Sequence, residues 1–435
     1  MEQLLLSRPA KHSGPSTQTV TEGKAQGRLL YIDNLRWVMI MLVVSMHAAV
    51  TYSHLGSWYF MEDSPVSLAE SGVFGTYQAF LQSFFMGFLF FIAGYFVPGA
   101  YDAKGPGKFL QDRAIRLGLP LLLFVFFLQP VSIYCISLFG GPDVGGSFAH
   151  VYSRYIGRSR WLGGTGPLWF CEALLIFCLG YVLFRMLPLQ GGRRVRYERD
   201  GKQPLHGLAG AGDGVRADNE AGTGVGAGIH RLPGKWAVWG FIALIGIATF
   251  LVRVPWPNGT DFYNLQFCYF PQYIFFFIAG TMALRGNWLN RLPVAVGKYW
   301  GRVGLFGGLA WWVALLVLGG AFKGQLADYK GGLHWQSLGM ACWEQVAGVG
   351  ISLFLLVWFR ERFSAQGDKA RFFSANAFTV YVFHTPVLIS LSRMMGGLHV
   401  PLLLKFLLLT GVSIFVTYAI AALLVRRIPL LKRIL

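Results

Sequence analysis

An all-α fold, a polytopic membrane helix bundle with about ten transmembrane helices, is expected from three properties of this chain. Its 435 residues are 54% hydrophobic and 16% aromatic but only 13% charged, a balance that soluble domains rarely show. Its apolar residues gather into ten stretches, each near the ~20 residues that a helix needs to cross a hydrocarbon core. Its basic residues concentrate in every second connection, so the net charge of +18 is mainly a topology signal. That charge also leaves room for anionic lipid or a phosphorylated ligand, and gives no sign of nucleic acid recognition.

From the N-terminus, residues 1–30 are polar and rich in Ser, Thr and Gly, the composition of a disordered tail. The three-leucine run before Ser7 and Arg8 is too short for a signal-peptide core, so the first span should be retained. That span, Leu35–Tyr52, carries Arg36 and His47, separated by ten residues. At about 100° per residue the two share one helix face, and at about 1.5 Å per residue His47 lies roughly 16 Å deeper than Arg36. Ionisable groups within an apolar span are costly and usually functional. A cation at the rim and an acid/base group at mid-depth point to a reaction inside the membrane. Asp33, one turn before Arg36, is placed to pair with it. His54, seven residues beyond His47 on nearly the same face, reads as a surface group or as part of a ligand lining.

The second span is Tyr77–Val97 and the third Leu117–Leu138. Arg113 and Arg116 precede the third, and their three-residue spacing sets two guanidiniums on neighbouring positions of one face. Such forks suit bidentate phosphate binding; an anchor at the lipid headgroups is the other reading. The fourth span, Leu168–Leu187, carries Glu172 near its start. Residues 31–188 thus hold the first four helices with Arg36, His47, Arg113, Arg116 and Glu172. Residues 189–234 begin with Arg193-Arg194-Val195-Arg196, continue as Gly/Ala-rich sequence, and read as a flexible cytoplasmic linker.

Residues 235–435 supply the other six spans: Trp236–Val252, Phe267–Leu284, Val303–Phe322, Leu338–Phe359, Phe378–Met394 and Leu402–Val425. Glu344 lies near the start of the eighth and His384 within the ninth. A carboxylate at the depth of Glu172 or Glu344 needs a histidine, an arginine or water beside it. Cys135, Cys171, Cys178, Cys268 and Cys342 all fall in apolar spans without metal-type spacing, so they read as buried thiols and no metal site is expected. Tyr381 and the many tryptophans read as packing and interface anchors. Of the 38 basic residues, 29 fall in one alternate set of connections and five in the other, which places both termini in the cytoplasm. Oligomeric state is not legible.

Several motifs in order, Asp33-Asn34-Leu35-Arg36, His47, Phe90-Phe91-Ile92-Ala93-Gly94-Tyr95, Arg113-x-x-Arg116, Leu168-Trp169-Phe170 and Tyr381-x-x-His384-x-Pro386, together resemble the acyltransferase 3 family. The resemblance runs over roughly residues 29 to 425 and extends to the glucan-succinylating branch. Ala93 stands where many relatives have Ser, and the 189–234 linker looks like an insertion. The resemblance implies an integral-membrane O-acyltransferase of a bacterial-type plasma membrane. Cytosolic acyl-CoA would be the donor, acetyl-CoA by default and succinyl as the other choice. The acceptor would be a carbohydrate or other hydroxyl-bearing molecule on the far side.

By motif match, Arg36, Arg113 and Arg116 would hold the coenzyme A phosphates and His47 would act as general base, a role suited to its ordinary pKa of ~6.5. An acyl-histidine is a less favoured variant. Glu172 would orient His47, contact the acceptor or join helices; His384 would be a second catalytic or oxyanion-stabilising group, or an interhelical bond. A proton-coupled transporter or flippase using His47, Glu172 and Glu344 as a relay is the rival, and the paired arginines at the cytoplasmic rim argue against it.

Overall fold

The computed structural model describes residues 29–138, 146–187, 231–423, 425–429 and 431. The expected tail lies outside the described residues except for Leu29 and Leu30, and the expected linker lies outside them up to His230. Among the described residues the structure is all helix and connection, with no strand. Ten helices among the described residues are long and apolar enough to cross a membrane, and each corresponds to one expected span. They run Leu30–Ser53, Leu68–Lys104, Pro106–Leu138, Gly166–Met186, Lys235–Arg253, Phe267–Arg285, Val294–Lys323, Trp335–Arg362, Asp368–Met394 and Leu402–Arg427.

Local chemistry explains where several of them begin and end. The first helix stops at His54, whose left-handed φ of 56° breaks the ladder. The second starts at a capping box, in which the Ser67 hydroxyl accepts from the Glu70 N–H and the Glu70 carboxylate accepts from the Ser67 N–H. This helix has 37 residues, about 55 Å at the usual rise, so it projects well past a core about 30 Å thick. Gly105, at φ 73°, then reverses the chain, and Pro106 opens the third helix, where a missing N–H costs nothing.

The third helix contains two wide π turns, Ala114–Gly118 and Phe124–Leu128, each ending two residues before a proline, Pro120 and Pro130. A proline leaves the carbonyl one turn earlier without its donor, and a π turn re-pairs the backbone around that gap.

The second and eighth helices are each 72% buried over their most apolar window and the fifth and seventh only 22%, so the former make the centre and the latter the rim. Close approach at the centre depends on small residues. A Cβ on Gly94 would collide with the Phe277 carbonyl, and one on Gly280 with the Phe91 carbonyl, so these glycines set the crossing of the second and sixth helices. Phe90, fully buried, packs against Trp169, Phe170, Phe177 and Tyr273. Two of the sequence motifs therefore meet in the core.

Two buried ion pairs brace the bundle. Glu344 finds the arginine its burial required: Arg253 donates to its carboxylate at 2.7 Å, joining the eighth helix to the fifth. Lys405 of the tenth helix donates at 2.6 Å to Glu62, in the connection after the first helix.

Candidate active site

His47 and His384 come together inside the bundle. Their rings lie 5.4 Å apart between centroids and 16° from parallel. A third ring, Trp58, stacks on His47 at 3.8 Å and lies nearly parallel to His384. His384 is fully buried and His47 half-buried. The His384 Nδ1 lies 2.7 Å from the Tyr381 carbonyl. A carbonyl oxygen only accepts, so Nδ1 carries the proton and neutral His384 presents Nε2 as an acceptor. Among the described residues, that buried Nε2 has no hydrogen-bond partner. His384 is thus held within its own helix rather than by an interhelical bond, and in this tautomer it cannot donate to an oxyanion.

The Tyr381 hydroxyl donates to the Pro167 carbonyl, and Phe170 packs edge-on against the Tyr381 ring. The start of the fourth helix is thereby fixed against the ninth, one turn from His384.

The connection 54–67 folds across the His47 end of the bundle opposite the arginine rim. Besides Trp58, it is pinned by Tyr59 donating to Gln129, by Arg393 over the Phe60 ring at 4.5 Å, and by the Glu62–Lys405 pair. The exposed His54 ring nitrogen donates to the Glu62 carbonyl at 2.6 Å, which makes this histidine part of the loop's own frame.

Arg36 lies toward the other end of the first helix. It donates to Asp33 at 3.4 Å, the pairing expected from their spacing, and its guanidinium sits over Phe96 of the second helix, 4.7 Å from the ring centroid. Arg113 and Arg116 stand on a helix that is not regular between them. The π turn Ala114–Gly118 opens between them, leaving Arg113 half-buried over the Phe109 ring and Arg116 exposed beside Asp112. On the same side, Arg185 and Arg285 converge on Asp102 at 3.4 and 3.6 Å and on the Tyr181 hydroxyl.

Glu172 is not hydrogen-bonded to His47. One of its carboxylate oxygens is buried with no hydrogen-bond partner among the described residues. With Glu344 engaged by Arg253, the relay that a transporter would need, His47 to Glu172 to Glu344, is not assembled by any hydrogen bond among the described residues. No group of three or more His, Cys, Asp or Glu side chains suited to a metal occurs among them either.

Sequence reasoning passed over Trp58, Lys405 and Arg253. Trp58 lies in a connection, where periodicity is silent. The two cations lie in apolar spans, and the rule that singled out His47 applies to them equally.

Comparison with curated proteins and with solved structures finds no match. A family model described as an acyltransferase domain matches residues 29–425, nearly the whole chain, and the protein belongs to that family, acyltransferase 3, as a multi-pass membrane acyltransferase.

Proposed function

We propose that this protein moves an acyl group, acetyl by default, from cytosolic acyl-CoA to a hydroxyl of a glycan or other acceptor at the opposite face of a bacterial-type plasma membrane. The observation that carries this reading is the stacked His47–His384 pair, with an unpartnered buried Nε2 on His384. Roughly 16 Å along the first helix separates it from Arg36. Coenzyme A has phosphates at one end and a thioester at the end of a long arm, and a site with cations at the rim and imidazoles at depth suits both. The basic set containing Arg113 and Arg116 faces the cytoplasm by its excess of Lys and Arg. A crevice of about 420 Å³ on that side, lined by Leu30, Gln366, Arg371, Ser374 and Ala375, offers room beside the rim. Succinyl is the second choice of acyl group, because the additional cations suit its free carboxylate.

His47 takes the proton of the acceptor hydroxyl as its oxygen attacks the thioester carbonyl. The tetrahedral intermediate then expels the CoA thiolate, which recovers that proton from His47. The His384 Nε2 accepts a hydrogen bond from a second hydroxyl of the acceptor and so directs the attacking one, whose single proton goes to His47. Trp58, stacked on His47, fixes the plane of the base.

Calorimetric titration of the purified protein with CoA and acetyl-CoA tests the donor half without knowledge of the acceptor. Saturable binding that is lost in Arg113→Ala/Arg116→Ala is expected. Absence of binding by folded wild-type protein would overturn the acyl-CoA reading.

A further inference from the structure

His47 has no carboxylate of its own. Thr51 bonds its backbone carbonyl, and among the described residues nothing hydrogen-bonds its ring. The charged groups of the surrounding elements are engaged elsewhere. Glu62 of the covering connection is paired with Lys405 of the tenth helix, and Glu344 of the eighth with Arg253. Tyr77 of the second helix bonds Ser45, and Tyr381 of the ninth bonds the Pro167 carbonyl. His384 is the ionisable group that faces His47, and in its neutral tautomer it brings no charge to set against an imidazolium. Protonating His47 therefore creates a cation inside the bundle without a bonded anion, which is costly.

What His47 does have is the face of an indole. The centroid of the Trp58 ring lies 3.8 Å from that of His47, and the planes are 16° from parallel. With 5.4 Å from His47 to His384 and 6.4 Å from Trp58 to His384, the directions from His47 to the other two rings stand close to a right angle. The indole thus has one face of His47 to itself. Tyr59 stands edge-on to the indole at 4.9 Å and is tied by its own bond to Gln129. The Trp58 N–H is buried with no hydrogen-bond partner among the described residues, so packing seats the ring and its face is what it offers. A cation over an aromatic face is attracted by the ring quadrupole, most strongly over tryptophan and away from water. A neutral imidazole gains little of this.

We propose that Trp58 is a positioning residue whose π face stabilises the imidazolium of His47, the part that a carboxylate plays beside a basic histidine in other acyl-transfer sites. The role rests on the acyl-transfer reading, in which His47 takes the proton of the acceptor hydroxyl and returns it to the CoA thiolate. The indole gains and loses no proton. It lowers the energy of the charged state between the two transfers, so its effect falls on the rate and its pH dependence and not on CoA affinity.

The test compares wild type with Trp58→Phe, which keeps a weaker π face, and Trp58→Leu, which keeps an apolar cover without one. Transfer of label from acetyl-CoA into the lumen of inside-out membrane vesicles is timed between about pH 5 and pH 9. In Trp58→Leu the rate should fall about three- to tenfold, and the acid limb should move about one pH unit lower, because the charged form has lost its stabiliser. Trp58→Phe should show smaller changes in the same directions, and it carries the comparison if Trp58→Leu fails to bind CoA. A rate loss with the acid limb unmoved would make the indole a packing cover and overturn the proposal. So would wild-type behaviour in Trp58→Leu, or a wild-type profile without an acid limb above about pH 5. Carbethoxylation of His47 by diethyl pyrocarbonate, read by peptide mass spectrometry, needs neither donor nor acceptor. Only the neutral imidazole reacts, and the half-buried ring is within reach of the reagent. A carbethoxylation profile that moves to lower pH in Trp58→Leu, in a protein that transfers no label, would sink the acyl-transfer reading and leave the indole contact standing.

Discussion

His384 is held by one bond to its own helix, and that bond decides what its second nitrogen can do. With Nδ1 committed to the Tyr381 carbonyl, Nε2 remains as a buried acceptor on a ring stacked near that of His47. His47→Ala and His384→Ala should therefore each lower acyl transfer by about 10²–10⁴-fold, the range for a positioned proton-transfer group, while CoA affinity stays at the wild-type value. Steady-state kinetics and calorimetry on the same preparations check the two halves. At the rim, Arg113 is half-buried over Phe109 and Arg116 is exposed. A planar fork matters most where it is packed, so Arg113→Lys should weaken CoA binding several-fold and more than Arg116→Lys does, as read by titration. His47 was legible in the sequence because an ionisable group in an apolar span demands a reason. Trp58 was not, because nothing about a tryptophan in a connection indicates which ring it will cover.

Among the elements, the connection 54–67 stands between the histidines and the face opposite the arginine rim. Contacts from several elements hold it, among them the Glu62–Lys405 ion pair, in which Lys405 is buried. Removing one partner of such a pair leaves an uncompensated charge, so Lys405→Met should release the connection, and hydrogen exchange across residues 54–67 should rise at least about tenfold. Wild-type exchange in that variant would mean that the pair does not hold the loop. The ten spans were legible because length and apolar content suffice to mark a crossing helix. The π turn between Arg113 and Arg116 was not legible from their spacing, which assumes an unbroken α-helix, although Pro120 was an available signal.

At the scale of the whole molecule, the bundle places its basic rim at one end, its histidines inside and the connection 54–67 across the other end. Glu344→Ala should lower stability by about 3–5 kcal/mol by stranding the fully buried Arg253, whereas Arg253→Met/Glu344→Leu should restore most of it. Thermal unfolding in detergent distinguishes the two. Orientation follows from charge: Asp261→Cys, in a cysteine-free background, should react with an impermeant thiol reagent from outside intact cells, and Gln111→Cys should not. The central claim is that one site joins a cytosolic donor to an acceptor on the far side through the two histidines. Inside-out membrane vesicles, which present the basic rim outward, can be supplied with radiolabelled acetyl-CoA and the label followed onto material in the lumen. Lumenal label is expected with wild-type protein and is expected to be lost with His47→Ala and with His384→Ala. Lumenal label that persists at the wild-type level in both variants would contradict it.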